Sequence, residues 1–99
     1  MGHPLLVATT ARHLGDIYRK SGLSGQAESL LTEAIKLYRD NLDTKVLDLA
    51  NALRPLALLL VSRGDTSAAR PLLQEARVLY AAINVAAGVS ECDAQLASG

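Results

Sequence analysis

An internal duplication with a period of 42 residues constrains the fold of this chain more than any other sequence feature. Residues 47–84 align with residues 5–42 without a gap. The twelve identical pairs are Leu5/Leu47, Ala8/Ala50, Arg12/Arg54, Leu14/Leu56, Gly22/Gly64, Ala27/Ala69, Leu30/Leu72, Leu31/Leu73, Glu33/Glu75, Ala34/Ala76, Leu37/Leu79 and Tyr38/Tyr80. The aligned Gly, Arg, Glu and Tyr pairs are harder to attribute to composition than the Leu and Ala pairs. A fixed period of this length is typical of repeat proteins, whose stacked units share one core.

Each repeat unit is predicted to form two helices joined by a tight turn. The chain contains 19 Leu and 16 Ala, which are both strong helix formers. Gly22 and Gly64 predict the turns, because glycine readily adopts the left-handed conformation that ends a helix. Ser24 in the first unit, and Asp65 or Thr66 in the second, are the expected N-caps. The predicted helices cover about 4–21, 24–42, 44–63, 66–84 and 86–97, with an error of about two to four residues at each end.

Apolar residues recur at spacings of three and four, which is the pattern of a helix with one buried face. In the first helix, the residues expected to face the core are Leu6, Val7, Ala11, Leu14, Ile17 and Tyr18. Small residues should let the paired helices approach closely, namely Gly15, Ala27, Ala34, Ala57, Ala69 and Ala76. Leucines are then expected to fill the space between helices as knobs, namely Leu14, Leu31, Leu56 and Leu73.

Several of these residues resemble the signature of the tetratricopeptide repeat. In the first unit they are Leu14-Gly15-x-x-Tyr18, Ala27, Leu31 and Ala34. The second unit has Ala and Leu in place of the Gly and Tyr, and its matching residues are Leu56, Ala57, Leu60, Ala69, Leu73 and Ala76. The 42-residue period and the His3-Pro4 opening resemble the longer repeat variant found in kinesin light chains and many bacterial proteins.

The expected fold is all-α: a right-handed α-α superhelix of two helical hairpins with a C-terminal capping helix. It forms a single domain over 1–99, with repeat units at about 4–43 and 44–84 and the capping helix at about 86–97. Terminal units of a stack need a polar outer face for solubility. The capping helix is expected to supply that face with Ser90, Glu91, Asp93 and Gln95.

The first helix of each unit carries the polar residues expected to bind a partner, because this helix lines a concave groove in the family resembled. The candidates are Thr9, Arg12, Asp16 and Arg19 in the first unit and Asn51, Arg54 and Leu58 in the second. Arg12 and Arg54 should bind carboxylates through forked hydrogen bonds. Asn51 resembles the groove asparagines with which kinesin-light-chain-type repeats hold a peptide backbone. The alternative is that these residues form only a solvated polar face.

Other functional classes are disfavoured by charge and by missing motifs. The formal net charge is zero, so neither nucleic acid nor a membrane surface is an expected partner. The longest apolar run, Leu56–Val61, is too short to span a bilayer. His3, His13 and Cys92 lack the neighbours that a metal or catalytic site needs, so we expect no enzyme, metal or cofactor. The lack of a recognisable targeting segment and the single cysteine predict a cytoplasmic protein.

Three interpretations of the function remain open from the sequence. The first is a non-enzymatic interaction module or scaffold that binds a protein or peptide segment, acidic or with a free carboxyl terminus, in the groove. The second is a structural protein that forms a homodimer through Leu5 and Leu6 on the first helix, or through Leu58 and Val61. The third is a piece of a longer array, whose neighbouring repeat would cover the same apolar surface.

Overall fold

Five helices make up the part of the chain described by the computed structural model, which is residues 3–98. They are α1 (Pro4–Lys20), α2 (Ser24–Arg39), α3 (Val46–Ser62), α4 (Thr66–Ala82) and α5 (Ala86–Ser98), and no strand occurs within these residues. Helix α1 packs against α2 and α3 against α4, which forms two hairpins. Helix α2 also contacts α3, so the hairpins stack, and α5 packs on α4. The predicted all-α helical-repeat fold is confirmed.

The turns within the hairpins depend on the two equivalent glycines. Gly22 and Gly64 have φ angles of +81° and +80°, the left-handed region that other residues rarely adopt. The predicted cap at Asp65 is confirmed, because its carboxylate accepts a hydrogen bond from the backbone N–H of Ala68 at 3.2 Å. The predicted cap at Ser24 is wrong, because Ser24 is already the first helical residue of α2.

Helix α2 ends at Arg39, three residues before its predicted end at residue 42. Two side-chain hydrogen bonds hold the connection to α3 in a non-helical conformation. The hydroxyl of Thr44 donates to the carbonyl oxygen of Tyr38 at 2.5 Å. The side-chain oxygen of Asn41 accepts from the backbone N–H of Asp43 at 3.0 Å. Such local bonds compete with helix propagation at Asn and Thr.

Small residues bring the helices into close contact, as predicted. The fully buried alanines are Ala8, Ala27, Ala34, Ala50, Ala52, Ala57, Ala69 and Ala76. A Cβ atom built on Gly15 would lie only 2.7 Å from Cγ of Leu31, so the backbone of α1 touches this side chain directly. Leu56 and Leu73 are buried at the knob positions predicted for them. The core is therefore a layer of alanines filled by larger leucines and tyrosines.

One part of the predicted core is wrong. Leu14 and Ile17 are 40% and 56% exposed, whereas their equivalents in the second repeat, Leu56 and Leu59, are 8% and 2% exposed. The difference arises because α3 packs against α2 of the preceding hairpin, and within residues 3–98 no helix covers the same side of α1. We call this surface the outer face of α1, and it consists of Leu6, Val7, Leu14 and Ile17.

Helix α5 is an integral part of the packed structure. Gly88 lies against the ring of Tyr80 so closely that a Cβ atom would overlap the ring. Cys92 is fully buried. Glu91 and Asp93, which were predicted to form a polar outer face, are exposed and also form ion pairs with arginines of α3 and α4. These contacts fix α5 against both helices of the second hairpin.

The contact between Gly88 and Tyr80 predicts the effect of one added methyl group. Gly88→Ala should lower the free energy of unfolding by about 1–3 kcal/mol, because the buried ring cannot move aside without overpacking the core. Chemical denaturation followed by circular dichroism measures this change. Gly25→Ala is the matched control, since a Cβ at that position meets nothing within 4 Å. Equal losses of stability in the two variants would contradict the described docking of α5.

Candidate functional site

A cleft of about 350 Å³ lies between the first helices of the two hairpins. Helix α1 contributes Arg12, His13, Asp16, Arg19 and Lys20, and α3 contributes Asn51, Arg54 and Pro55. Most of these residues are spaced three or four apart, so they share one face of their helix. The charged lining consists of three arginines, one lysine and the single carboxylate of Asp16. We call this space the α1/α3 cleft, and its lining is predominantly cationic.

The structure brings most of the predicted groove residues together. The predicted residues that line the α1/α3 cleft are Arg12, Asp16, Arg19, Asn51 and Arg54. Thr9 is half-buried and hydrogen-bonded to Tyr38. Leu58 instead lines a smaller cleft of about 180 Å³, together with Leu73 and three residues of α5.

In the first repeat, a buried tyrosine holds the cleft arginine. The ring of Tyr38 on α2 is 1% exposed, and its hydroxyl reaches α1. The hydroxyl lies 2.7 Å from the hydroxyl oxygen of Thr9 and accepts a hydrogen bond from Nε of Arg12 at 3.3 Å. The guanidinium is thus tied to the core through one of its three nitrogens.

The second repeat contains the same arrangement, displaced by one period of the duplication. Tyr80 on α4 is 2% exposed. Its hydroxyl donates to Oδ1 of Asn51 at 2.6 Å and accepts from Nε of Arg54 at 3.2 Å. We call the two sets of contacts the tyrosine–arginine network. In the sequence, Tyr38 and Tyr80 are one of the identical pairs of the duplication, and this identity was the signal of a shared role.

Each cleft arginine also meets a carboxylate from the helix that follows its hairpin. Nη2 of Arg12 lies 3.6 Å from Oδ1 of Asp48, in the first turn of α3. Arg54 forms an ion pair with Glu91 on α5. Burial of Arg54 would lower its pKa, but the Tyr80 hydroxyl and the charge of Glu91 outweigh burial and raise the pKa above its ordinary value. Arg54 is therefore a permanent cation.

The carboxylate of Asp16 is paired with two cations of its own helix, Arg19 and Lys20. It accepts hydrogen bonds from Arg19 at 2.8 Å and lies 3.2 Å from Nζ of Lys20. Burial alone would raise the pKa of Asp16, but these two cations outweigh it and hold the pKa below its ordinary value of 3.8. Asp16 thus remains charged at neutral pH and offsets part of the positive charge at this end of the cleft.

The comparison with known protein families agrees with this architecture. The family model described as tetratricopeptide repeat matches residues 6–82, which spans both hairpins and most of the chain. The chain belongs to the tetratricopeptide repeat family. Repeats of this family are generally modules for protein–protein interaction. No curated protein and no solved structure matches the chain.

The residues predicted for self-association lie in two different environments of this tetratricopeptide repeat domain. Leu6 belongs to the outer face of α1, which lines an open apolar groove of about 400 Å³, and Leu5 is partly buried beside it. Leu58 and Val61 are partly buried on α3, and both line cavities to which α5 contributes. The two predicted patches are thus separate surfaces.

Few side chains among residues 3–98 have the surroundings needed to bind a metal or act as a nucleophile. Among residues 3–98, no three His, Cys, Asp or Glu side chains are grouped as metal ligands would be. Burial raises the pKa of the Cys92 thiol, which keeps it protonated at neutral pH and disfavours a nucleophilic role. His13 is exposed and lines the α1/α3 cleft. None of the described helices is both long and apolar enough to cross a membrane.

Proposed function

We propose that this domain is a non-enzymatic interaction module, or scaffold, that binds an extended peptide segment of a partner protein in the α1/α3 cleft. The observation that carries the proposal is the pair of equivalent arginines, Arg12 and Arg54, which face one cleft and are both held by a buried tyrosine. Membership of a family of interaction modules supports the same conclusion.

The lining of the cleft favours an acidic segment or a free carboxyl terminus as the ligand. The carboxylate of Asp48 lies 3.6 Å from Nη2 of Arg12, which is longer than a hydrogen bond, and no other carboxylate of residues 3–98 pairs with Arg12. Its guanidinium therefore retains donors for a ligand carboxylate, which arginine binds in a forked geometry. Asn51, which lines the same cleft and shares the Tyr80 hydroxyl with Arg54, supplies an amide for the peptide backbone. Thr9, Asp16 and Arg19 would then position the lining rather than make the main contacts.

The 42-residue period of this chain supports placing the domain with the longer variant of the family found in kinesin light chains. A single cysteine, buried as Cys92, suits a reducing compartment, so we propose a cytoplasmic location.

The charge balance of the chain supports protein rather than nucleic acid or a membrane surface as the partner.

Removal of the cleft arginines tests the proposed function. The probe is a fluorescein-labelled hexapeptide of glutamate with a free carboxyl terminus, and its affinity is measured by fluorescence anisotropy. Arg12→Ala and Arg54→Ala should each weaken binding about tenfold, as expected for lost hydrogen bonds between charged groups. The double variant should also bind with a smaller dependence on salt concentration.

Arg70→Ala is the matched control, because Arg70 is an exposed cation of α4 that does not line the α1/α3 cleft. It removes the same charge and should leave the affinity within about twofold of the wild type. If the two cleft variants and the control bind the peptide equally well, the cleft is not the binding surface.

Self-association through the outer face of α1 is a second candidate function. The equivalent face of α3, which includes Leu56 and Leu59, is covered by α2 within the same chain. This internal example supports a helix of the same repeat type as the occupant of the outer face of α1. We propose that a second copy supplies such a helix in a two-fold homodimer. Leu58 and Val61 line cavities to which α5 contributes, so α1 is the better candidate.

Matched substitutions on exposed apolar residues test the homodimer. Leu6 on α1 and Val78 on α4 are both 63% exposed. The wild-type protein should elute as a dimer in size-exclusion chromatography with light scattering at high micromolar concentration. Leu6→Asp should convert it to a monomer, because a charge on a buried interface lacks a partner. Val78→Asp should remain dimeric. A monomeric wild type, or a dimeric Leu6→Asp variant, would rule out this interface.

A further inference from the structure

The tyrosine–arginine network contacts several polar side chains of the cleft, and not only its cations. We propose that the hydroxyls of Tyr38 and Tyr80 orient polar side chains at the cleft so that they present hydrogen-bond donors. The side chains concerned are Arg12, Asn51 and Arg54, which line the cleft, and Thr9, which is bonded to Tyr38. The proposal rests on the proposed function and makes it more specific: the ligand is a segment that offers acceptors, namely carboxylates and backbone carbonyl oxygens.

The direction of the hydrogen bonds in the second repeat follows from the chemistry of the three groups. Nε of Arg54 carries a proton and has no acceptor capacity, so the Tyr80 oxygen must accept from it. The single proton of Tyr80 is then donated to Oδ1 of Asn51 at 2.6 Å. Because the amide oxygen of Asn51 is used in this way, its NH₂ group, with two donors, is the part left for a ligand.

In the first repeat, Thr9 takes the place of Asn51 as the residue that would present a donor to the ligand. Nε of Arg12 donates to the Tyr38 oxygen, and the hydroxyls of Tyr38 and Thr9 lie 2.7 Å apart, where either can donate to the other. In the proposed arrangement the Tyr38 proton is directed to Thr9, which leaves the proton of Thr9 to be donated elsewhere. With this assignment, Thr9 and Asn51, at equivalent positions of the two repeats, both present a donor beside an arginine.

Anchoring through Nε also fixes the orientation of the guanidinium groups. The Nη atoms of Arg12 and Arg54 approach the carboxylates of Asp48 and Glu91, which shows that this end of each group is directed at anions. A guanidinium is planar, so a hydrogen bond at Nε restricts the direction in which its Nη pair can point. Since both tyrosine rings are buried, their hydroxyls hold fixed positions. Tyr38 and Tyr80 are therefore positioning residues for ligand recognition.

The experiment removes one hydroxyl at a time and uses two independent measurements. Nitrogen-15 NMR of the ligand-free protein follows the exchange rate of the Nε protons of Arg12 and Arg54. Anisotropy follows binding of the same labelled hexaglutamate peptide. Tyr80→Phe should accelerate Nε exchange at Arg54 about tenfold and weaken peptide binding about fivefold, as expected for the loss of one hydrogen bond. Tyr38→Phe should do the same for Arg12.

Tyr18→Phe is the matched control, because the Tyr18 hydroxyl makes no side-chain hydrogen bond within residues 3–98. It should change neither measurement. Asn51→Asp tests whether residue 51 must present hydrogen-bond donors to the ligand. The substitution keeps an oxygen that accepts from Tyr80 but replaces the NH₂ donors by a charged acceptor. This variant should weaken binding of the acidic peptide by more than Tyr80→Phe does.

The outcomes separate the inference from the proposed function. Faster Nε exchange together with weaker binding in the tyrosine variants, but not in Tyr18→Phe, supports the inference. Normal binding by Tyr38→Phe and Tyr80→Phe would overturn the inference and leave the cleft as the binding surface. Weaker binding without faster exchange would also overturn it, because the hydroxyls would not act through the arginines. A wild-type protein that does not bind the peptide would overturn the proposed function itself.

Discussion

The buried tyrosine in the second helix of each hairpin is the interaction on which the core and the cleft both depend. In the second repeat, one face of the Tyr80 ring meets the backbone of Gly88 on α5, while its hydroxyl holds Asn51 and Arg54 on α3. A single side chain thus links α3, α4 and α5. Because the ring is almost completely buried, core packing sets its position. The hydrogen bonds of its hydroxyl in turn position the polar groups of the cleft. The geometry of the surface site is therefore determined from inside the domain.

The duplication produces two similar but unequal halves of the cleft. The arginine and the tyrosine are the same in both repeats, whereas the positions of Thr9 and Asp16 are taken by Asn51 and Leu58. The α1 side therefore carries a charged cluster around Asp16, and the corresponding part of α3 packs near α5 instead of opening into the cleft. In the proposed function, the repeated residues would bind anionic groups of the ligand, and the unequal residues give the cleft two chemically different ends.

The sequence predicted the number of helices, the turns at Gly22 and Gly64, and the cleft arginines, since each depends on local pattern or on the duplication. It did not predict that Leu14 is exposed, because periodicity defines the apolar side of a helix but not which neighbour covers it. It also missed the roles of Tyr38 and Tyr80, whose rings match an apolar pattern while only their hydroxyls reach the cleft. The carboxylates that meet the arginines come from the following helices, so their proximity depends on stacking angles that no local pattern specifies.

Mapping of the ligand surface by NMR tests whether the α1/α3 cleft is the binding site. Backbone amide shifts of the wild-type protein are recorded during titration with unlabelled hexaglutamate that has a free carboxyl terminus. If the cleft binds the peptide, the largest changes cluster on the cleft sides of α1 and α3, at Arg12, Asp16, Asn51 and Arg54. Changes concentrated instead on the outer face of α1, at Leu6, Val7 and Leu14, or a saturating titration that leaves the cleft residues unchanged, would contradict binding in the cleft.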